Sequence, residues 1–307
     1  MGKEIDVVVI GHIIKETIEF QDRRIGPVIG SPVAYSSLVM AAQGKNIGIV
    51  SYYGNDMDDI ISELDVLDRR GLKSYDYTTT NLLVYKADGT KYVDYQRKAP
   101  KLYFEDIYPE YLDCQFFKIC PMDYEVSLSL VERLAELKKT VFVDLGGYGG
   151  ATSDIRYSID ESKGKEVMTA LCNYATIIKA SSEDLASIFP GKTAEQAAQM
   201  MVDMGAQDVV VTMGGDGSFY KCKNLSPVYF EIFQAHSNIA DGSLDFTGAG
   251  DSFGAGFMAS YSEFQDIPRA IVNGNATASL VIENTGGCTY GRMPSKARVM
   301  ERINTGK

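Results

Sequence analysis

Asp245-Phe-Thr-Gly-Ala-Gly-Asp251 continues as Ser-Phe-Gly-Ala-Gly-Phe257, and it is the most informative segment of this 307-residue chain. The small residues from Thr247 to Gly250 predict a turn that leads into a helix. N–H groups in the first turn of a helix lack partners within the helix, and the helix dipole adds partial positive charge there. Glycine also lets a ligand approach the backbone closely. The segment therefore predicts an anion site that needs no lysine.

Asp251 falls within the first turn of this predicted helix. A carboxylate beside an anion site can accept the proton of a hydroxyl that attacks a bound phosphoryl group. The alternative is an ordinary first-turn acid that stabilises the helix dipole, with Gly254 and Gly256 serving only close helix packing. Taken alone, the physical chemistry leaves both interpretations open.

The rest of the chain alternates between short apolar runs and amphipathic helices. Five runs are typical of buried strands, at residues 5–10, 116–120, 141–145, 176–179 and 209–213. Helices are predicted over residues 125–139 and after the capping box Thr193-Ala-Glu-Gln196. This alternation predicts an α/β fold, a three-layer α/β/α domain whose sheet is mostly parallel.

Two segments depart from this rhythm and predict antiparallel strands. Residues 81–85 and 91–96 flank an Asp88-Gly89 turn, and residues 13–29 alternate around a polar tip. We expect them to form a small β-sheet lid, since inserted hairpins commonly cover α/β sites. An antiparallel extension of the main sheet is the alternative. The predicted division is a lid of residues 12–29 and 75–98, inserted into a catalytic domain of residues 1–11, 30–74 and 99–307.

The composition describes a globular protein with ample material for a core, since 45% of its residues are hydrophobic and 23% are charged. The net charge of −11 repels nucleic acid and anionic membranes, so neither is expected as a partner. No apolar run approaches the roughly 18 residues of a membrane span, and the chain starts without the basic region of a signal peptide. Five scattered cysteines without a C-x-x-C pair fit free thiols. We therefore expect a cytoplasmic protein with a small-molecule partner.

The segment at 245–251 is similar to the second signature of the ribokinase-like (PfkB) carbohydrate kinases, and the resemblance extends over essentially the whole chain. Residues 178–185 stand where the family has K-P-N-x-x-E-L, residues 210–217 look like its nucleotide-loop strand, and Gly54-Asn-Asp56 looks like its G-x-D element. The resemblance implies an ATP-dependent kinase that phosphorylates a hydroxyl of a small sugar, polyol or nucleoside. Asp251 would be the base, and the amides of Gly248, Ala249, Gly250 and Asp251 would form the anion hole.

The resemblance also implies where ATP and magnesium bind. The implied nucleotide residues are Lys179, Thr212, Gly214, Gly215, Gly217, Thr247 and Asn275. The implied magnesium residues are Ser181, Glu183 and Asp184, although Ser181 and Asp184 replace the family's asparagine and glutamate. Each assignment has a structural alternative. Ser181 or Ser182 could instead cap a helix, the glycines at 214–217 could form a turn that opens a hairpin over 218–230, and Asn275 could be a core polar group. Asp245 and Thr247 resemble ligands of the family's monovalent cation (K⁺), but the serine expected downstream is missing.

The acceptor end diverges most from the family's pattern. The acceptor is expected under the lid, near His12, Glu16, Gly30, Ser31, Tyr35 and Arg97. Tyr35 replaces an amide, which counts against plain ribose. Gly11-His12 resembles the inositol- and nucleoside-directed branches, so a nucleoside or inositol kinase is one alternative to a sugar kinase, and a packing histidine is the plainer interpretation.

Two further hypotheses come from the sequence. A catalytically silent sugar- or nucleotide-binding protein is the rival to an enzyme, and the intact Gly248–Asp251 segment counts against it because a binder has no use for the base. Lid edges that carry Tyr92, Val93 and Tyr95 suggest a homodimer through the lid.

Overall fold

A computed structural model describes residues 4–58, 60–86, 91–150, 152–153 and 161–306. Within these residues, nine strands form one sheet in the order β13-β12-β11-β10-β9-β8-β1-β4-β5. Its strands are β1 (Val7–Ile10), β4 (Ile47–Tyr53), β5 (Leu72–Ser74), β8 (Phe116–Ile119), β9 (Thr140–Asp144), β10 (Ile177–Ser181), β11 (Asp208–Thr212), β12 (Ser218–Cys222) and β13 (Val228–Phe230). All five strands predicted from apolar runs are present.

The pairing from β5 through β11 is parallel throughout, and only β12 and β13 join antiparallel at the edge. The carboxyl ends of the parallel strands therefore meet at one edge of the sheet, where open α/β sheets bind ligands. The antiparallel β12–β13 pair confirms the hairpin that was predicted after Gly217.

Helices cover both faces of the sheet, which confirms the predicted layers. Their bounds are α1 (Pro32–Ala42), α2 (Leu128–Glu136), α3 (Glu161–Tyr174), α4 (Ser182–Ile188), α5 (Ala194–Asp203), α6 (Ala249–Phe264), α7 (Ile267–Val281) and α8 (Lys296–Thr305). One apolar core lies under α2, α3 and α5, and a second lies under α1, α6 and α7. A Cβ added at Gly256 in α6 would lie 2.4 Å from Thr277 Oγ1 in α7, so this glycine does serve close helix packing.

The inserted segments form a separate sheet of four strands, hereafter the small sheet, rather than an extension of the main one. Its strands are β2 (Ile14–Glu19), β3 (Arg24–Gly30), β6 (Thr79–Tyr85) and β7 (Lys91–Arg97). The expectation of purely antiparallel strands was wrong, because β2 and β6 pair in parallel where the two hairpins meet. Parallel strands need a long connection, and here the chain passes through β3, α1, β4 and β5 between β2 and β6. The predicted Asp88-Gly89 turn lies outside the described residues.

One face of the small sheet is turned towards the main domain. Ile14, Glu16 and Ile18 alternate with more exposed residues along β2, so all three lie on this inner face. The apolar side chains of the face pack around Met122, from the loop after β8. None of the helices in the described residues is both long and apolar enough to cross a bilayer. All five cysteines are free, and four of them are buried.

Candidate active site

A cavity of about 600 Å³ opens at the carboxyl edge of the main sheet, beside the start of α6. Most residues that the sequence assigned to phosphoryl transfer, nucleotide and metal lie in its wall. They are Lys179, Ser181, Glu183, Asp184, Thr212, Gly214, Gly215, Gly217, Gly248, Ala249, Gly250, Asp251 and Asn275. Most of these residues lie at the ends of β10 and β11, in the turn after β11 and at the starts of α4 and α6, whereas Asn275 lies within α7.

The helix α6 starts at the segment for which the sequence predicts an anion site. Gly248 precedes the helix in the left-handed conformation, with φ of 78°, and no side chain caps the helix. A Cβ on Gly248 would lie 2.4 Å from the ring of Tyr35, so only glycine fits this turn. The Ala249 N–H already donates to Phe246 O at 3.1 Å, so its predicted role in the anion hole requires that bond to open. Asp251 lies in the first helical turn, in the cavity wall.

A buried lysine stands opposite this helix start. Lys179 Nζ lies 3.3 Å and 3.1 Å from the two carboxylate oxygens of Asp144. A Cβ added at Gly250 would lie 3.2 Å from the same Nζ, so the ammonium reaches the anion-hole turn. Burial alone would lower the pKa of Lys179, but the carboxylates of Asp144, Asp184 and Asp251 outweigh it and raise that pKa. The charged form of Lys179 is therefore favoured, and its ion pair with Asp144 places an ammonium group in the cavity wall.

Asp144 is a site residue that the sequence analysis missed. It ends β9 and is brought beside Lys179 by the parallel pairing of β9 with β10. Its Oδ1 accepts from Gly146 N, while Oδ2 is buried and receives no hydrogen bond with good geometry from the described residues. An acid that ends an apolar strand was the available signal, because the carboxyl ends of parallel strands converge on the ligand site.

The carboxylates near the cavity fit magnesium that arrives with a nucleotide. No cluster of three or more His, Cys, Asp or Glu side chains in the described residues could hold a metal ion by itself. Ser181 and Asp184 cap α4 for each other, at 3.0 Å and 2.7 Å, which confirms the predicted helix cap and occupies one oxygen of Asp184. The buried Asp144 Oδ2, Asp184 and the exposed Glu183 still offer oxygen ligands. Magnesium keeps most of its water and takes one or two carboxylates plus phosphate, which suits this set.

The far end of the cavity has space and an apolar wall. The Cβ positions of Gly214 and Gly215 meet nothing within 4 Å, so the backbone after β11 is open to a ligand. Ile232 and Phe246 line the cavity although they are 46% and 68% exposed, which the sequence analysis did not notice. An apolar surface at a cavity mouth is suited to a flat ring.

Asn275 is already engaged within the protein. Its Nδ2 donates to Ser218 Oγ at 3.1 Å and to Glu231 O at 3.0 Å, and its Oδ1 accepts from the same hydroxyl. These bonds connect α7 to β12 and to the loop that carries Ile232. The interpretation as a satisfied core polar group is therefore supported, and a direct contact with a nucleotide stays a prediction.

The predicted acceptor residues Glu16, Gly30, Ser31 and Tyr35 lie where the small sheet meets α1. A Cβ at Gly30 would lie 2.7 Å from the Glu16 side chain, so these two residues are in contact. Ser31 is the N-cap residue before α1. Its φ of 101° is a strained conformation for a residue with a side chain. Tyr35 is buried against Gly248, and this burial raises the pKa of its hydroxyl well above the usual value. Tyr35 therefore connects the predicted acceptor residues with the turn before α6.

Asn81 on β6 is a second residue that the sequence analysis missed. It pairs with Glu16 across the parallel β2–β6 contact, and its Nδ2 donates to Glu16 Oε1 at 3.1 Å. Its Oδ1 is buried and has no hydrogen-bond partner among the described residues. An unpaired buried carbonyl oxygen is costly, so this atom is free to accept a hydrogen bond from a ligand.

His12 and Arg97 do not join this group. His12 Nε2 lies 2.9 Å from Pro100 O and Nδ1 lies 2.9 Å from Thr79 Oγ1, so both ring nitrogens are used by the protein. Its ring lines a different cavity, with Glu125 and Tyr124. Arg97 is exposed and lies over the Tyr77 ring at 5.6 Å. The packing interpretation of His12 is supported, and acceptor contacts by either residue stay predictions.

The residues expected to bind a monovalent cation are arranged around an arginine. Thr247 N donates to Asp245 Oδ1 at 3.0 Å, and Tyr85 OH on the small sheet lies 3.3 Å from Thr247 Oγ1. Arg292 Nη2 lies 3.7 Å from Asp245 Oδ2. The same guanidinium donates to the carbonyl oxygens of Gly287 at 2.8 Å and Val281 at 3.1 Å. The Arg292 guanidinium therefore occupies the space beside Asp245, one of the two residues expected to bind K⁺, and K⁺ binding stays a prediction.

Two of the three residues on the proposed dimer edge have buried side chains. Val93 and Tyr95 are 7% exposed and pack under the small sheet. Tyr95 OH donates to Met122 O at 3.1 Å. Because the pleat of β7 turns these two side chains into the chain's own core, they are not available to a partner. A dimer through the backbone edge of β7 stays a prediction.

Comparisons with known proteins show the family and the fold of this chain. The family described as pfkB family carbohydrate kinase matches residues 133–294. A cytidine kinase from Thermococcus kodakarensis is 27% identical over 292 residues, which cover 92% of this chain and 98% of that protein. An ATP-dependent 6-phosphofructokinase from Thermoanaerobacterium thermosaccharolyticum is 25% identical over 304 residues, covering 92% and 90%. Arabidopsis thaliana ribokinase, solved with ribose and ATP, has the same fold, with a TM-score of 0.75 at 18% identity over 97% and 98% of the two chains.

Proposed function

Because the chain belongs to the pfkB family of carbohydrate kinases and transfers phosphate to a hydroxyl, we propose that ATP is its donor and Asp251 its base. The observation that carries the proposal is the position of Asp251 in an uncapped first helical turn, in the wall of a cavity that also contains Lys179. Donors and charges that are fixed in place before the reaction stabilise the charge that develops in phosphoryl transfer.

Each group at the helix start has a separate task. Asp251 accepts the proton of the attacking hydroxyl, which makes that oxygen a better nucleophile. The N–H groups of the first turn and the Lys179 ammonium hold the charge of the transferred group. Magnesium, when bound with ATP, neutralises phosphate charge, and Asp144, Glu183 and Asp184 are the residues that would hold it.

The nucleotide would lie along the open backbone of Gly214 and Gly215. Close approach of phosphate or ribose needs a backbone without side chains, which both glycines provide. Ile232 and Phe246 would cover the base with apolar surface. These contacts carry no charge, which is compatible with a chain whose net charge is −11.

For the acceptor, we propose a neutral compound rich in hydroxyl groups, with nucleosides first. Glu16 and the unpaired Asn81 Oδ1 are hydrogen-bond acceptors, so they suit ligands that donate from hydroxyls. The Glu16 carboxylate would repel a phosphorylated acceptor such as fructose 6-phosphate. The relative named cytidine kinase, which this chain matches over 92% of its length, supports nucleosides.

An assay of ADP release with a panel of acceptors tests the proposal. Each reaction contains ATP, magnesium and one of cytidine, other nucleosides, ribose, inositol or fructose 6-phosphate. We expect turnover above background ATP hydrolysis with at least one neutral acceptor and none with the phosphorylated sugar. If every acceptor gives only background hydrolysis while ATP still binds, the silent binding protein becomes the better account. If fructose 6-phosphate alone is turned over, the acceptor assignment is wrong and the kinase assignment stands.

A further inference from the structure

Arg292 is a buried arginine for which the phosphoryl-transfer proposal has no task. It lies in the short turn Tyr290–Arg292 that precedes α8, and its side chain is 4% exposed. Its guanidinium donates to Gly287 O, Val281 O and the hydroxyl of Tyr35, and it faces Asp245. Three backbone or hydroxyl oxygens and one carboxylate around a single positive charge are the surroundings of a bound cation.

Two paths connect this charge with the anion-hole turn. On the first path, Arg292 Nη1 donates to Tyr35 OH at 3.2 Å, and the Tyr35 ring is the surface against which Gly248 packs. On the second, Arg292 faces Asp245, whose Oδ1 accepts from Thr247 N at 3.0 Å. Both paths end at neighbouring residues, Thr247 and Gly248, at the entry to α6. Displacing the guanidinium would remove one contact from each path.

We propose that Arg292 is a built-in cation that holds the anion-hole turn in place, so that this kinase works without K⁺. An arginine is permanently charged, and its planar fork satisfies several oxygens at once. It is also tethered to the chain, so its occupancy does not depend on salt composition. A metal cation at the same oxygens would be repelled by the guanidinium and would find its carbonyl ligands already in use.

Arg292 is thus a positioning residue, since it acts on the reacting groups through Tyr35 and Thr247. This role presupposes the phosphotransfer proposed above, but it has a consequence that needs no turnover. K⁺ should have no specific binding site in the apoprotein, so it should not stabilise the fold more than other monovalent cations do.

The first experiment compares KCl, NaCl and choline chloride at equal ionic strength. For the native protein, we expect kcat to change by less than about twofold, below the roughly fivefold effect of a weakly coupled activator. The thermal unfolding midpoint without nucleotide should be equal in the three salts. Strong stimulation of kcat by K⁺, or a higher midpoint in KCl alone, would overturn the proposal. The second readout holds even if no acceptor is found, so it separates this proposal from the kinase proposal.

The second experiment replaces the charge. In Arg292→Met the oxygens of Gly287, Val281 and Asp245 lose their cation, so kcat should fall about 10- to 100-fold with little change in the acceptor KM. KCl should then raise both kcat and the unfolding midpoint of this variant more than choline chloride does. Arg298→Met, on the exposed face of α8, is the matched control and should behave like the native protein in all salts.

Arg292→Lys covers the case in which the methionine variant does not fold. Lysine keeps the positive charge but lacks the planar guanidinium that satisfies several oxygens at once, so we expect an intermediate kcat and no response of kcat to K⁺. If Arg292→Lys is as inactive as Arg292→Met, charge is not the property that matters and the proposal is wrong. If Arg292→Met keeps native kcat in choline chloride, Arg292 does not position the turn, and the proposal is wrong as well.

Discussion

Replacing Gly248 with alanine perturbs the turn before α6 in two ways that can be separated. The residue has φ of 78°, where a side chain costs about 1–2 kcal/mol. The added Cβ would also lie 2.4 Å from Tyr35 Cε1, and overpacking of this kind costs about 1–3 kcal/mol. We therefore expect Gly248→Ala to lower the free energy of unfolding by about 2–5 kcal/mol. The same displacement moves the anion-hole turn, so kcat should fall by about 100-fold.

Urea unfolding with linear extrapolation measures the stability change, and ADP release measures kcat. Gly164→Ala is the matched control, because its Cβ in α3 meets nothing within 4 Å and alanine favours a helix by about 0.5–1 kcal/mol. In a Tyr35→Leu background, Gly248→Ala should cost only the backbone part, about 1–2 kcal/mol. A loss of less than about 0.5 kcal/mol in the native background would refute the packing of Tyr35 against this turn.

Three other changes probe the rest of the molecule. Lys179→Met leaves Asp144 buried without its counter-ion, so the free energy of unfolding should fall by about 3–5 kcal/mol and most of kcat should be lost. An unchanged free energy of unfolding would contradict the buried ion pair of Lys179 and Asp144. Phe246→Ser should raise the KM for ATP several-fold with a stability change within about 0.5 kcal/mol; an unchanged KM would remove Phe246 from the nucleotide site. Burial lowers the pKa of His12, and Glu125 opposes this only in part. The histidine of the unfolded chain therefore binds a proton near pH 6.5, whereas that of the folded protein binds it only at lower pH. The free energy of unfolding should fall below about pH 6.5 by at most about 1.4 kcal/mol per pH unit, and His12→Gln should flatten this dependence in urea titrations; equal slopes for both proteins would refute it.

The features that the sequence predicted correctly are local ones. The turn and helix from Thr247 onwards depend on adjacent residues, and so does the cap formed by Ser181 and Asp184. The apolar runs predicted the central strands because a strand buried on both faces is apolar throughout. Propensity and periodicity act over a few residues, so one sequence is enough to detect them.

The features that the sequence analysis missed depend on register. Asp144 meets Lys179 only because β9 and β10 pair in parallel with these residues opposite each other. Asn81 meets Glu16 through the β2–β6 pairing, which was not foreseen because the strands were expected to be antiparallel. Arg292 reaches Asp245 from a turn beyond the end of α7. No short-range sequence pattern predicts these contacts, because the register of the sheet and the packing of the helices determine them.

The pleat of β7 shows a further limit of the sequence. Val93 and Tyr95 lie on the strand proposed as a dimer edge, and residues two apart on a strand share a face. That face is the inner one of the small sheet, where both side chains are buried. The sequence shows that the two residues share a face of the strand, but it does not show which face is buried.

The most direct test of the account asks whether Asp251 is the base. Native protein, Asp251→Asn and Asp113→Asn are each incubated with ATP, magnesium and the best acceptor, and mass spectrometry measures the phosphate monoester formed. Asp113 is exposed ahead of β8, at the opposite edge of the sheet, so its variant should match the native protein. We predict that Asp251→Asn binds ATP with unchanged affinity by calorimetry but forms the monoester at least about 100-fold more slowly. Native rates from Asp251→Asn would contradict the central claim.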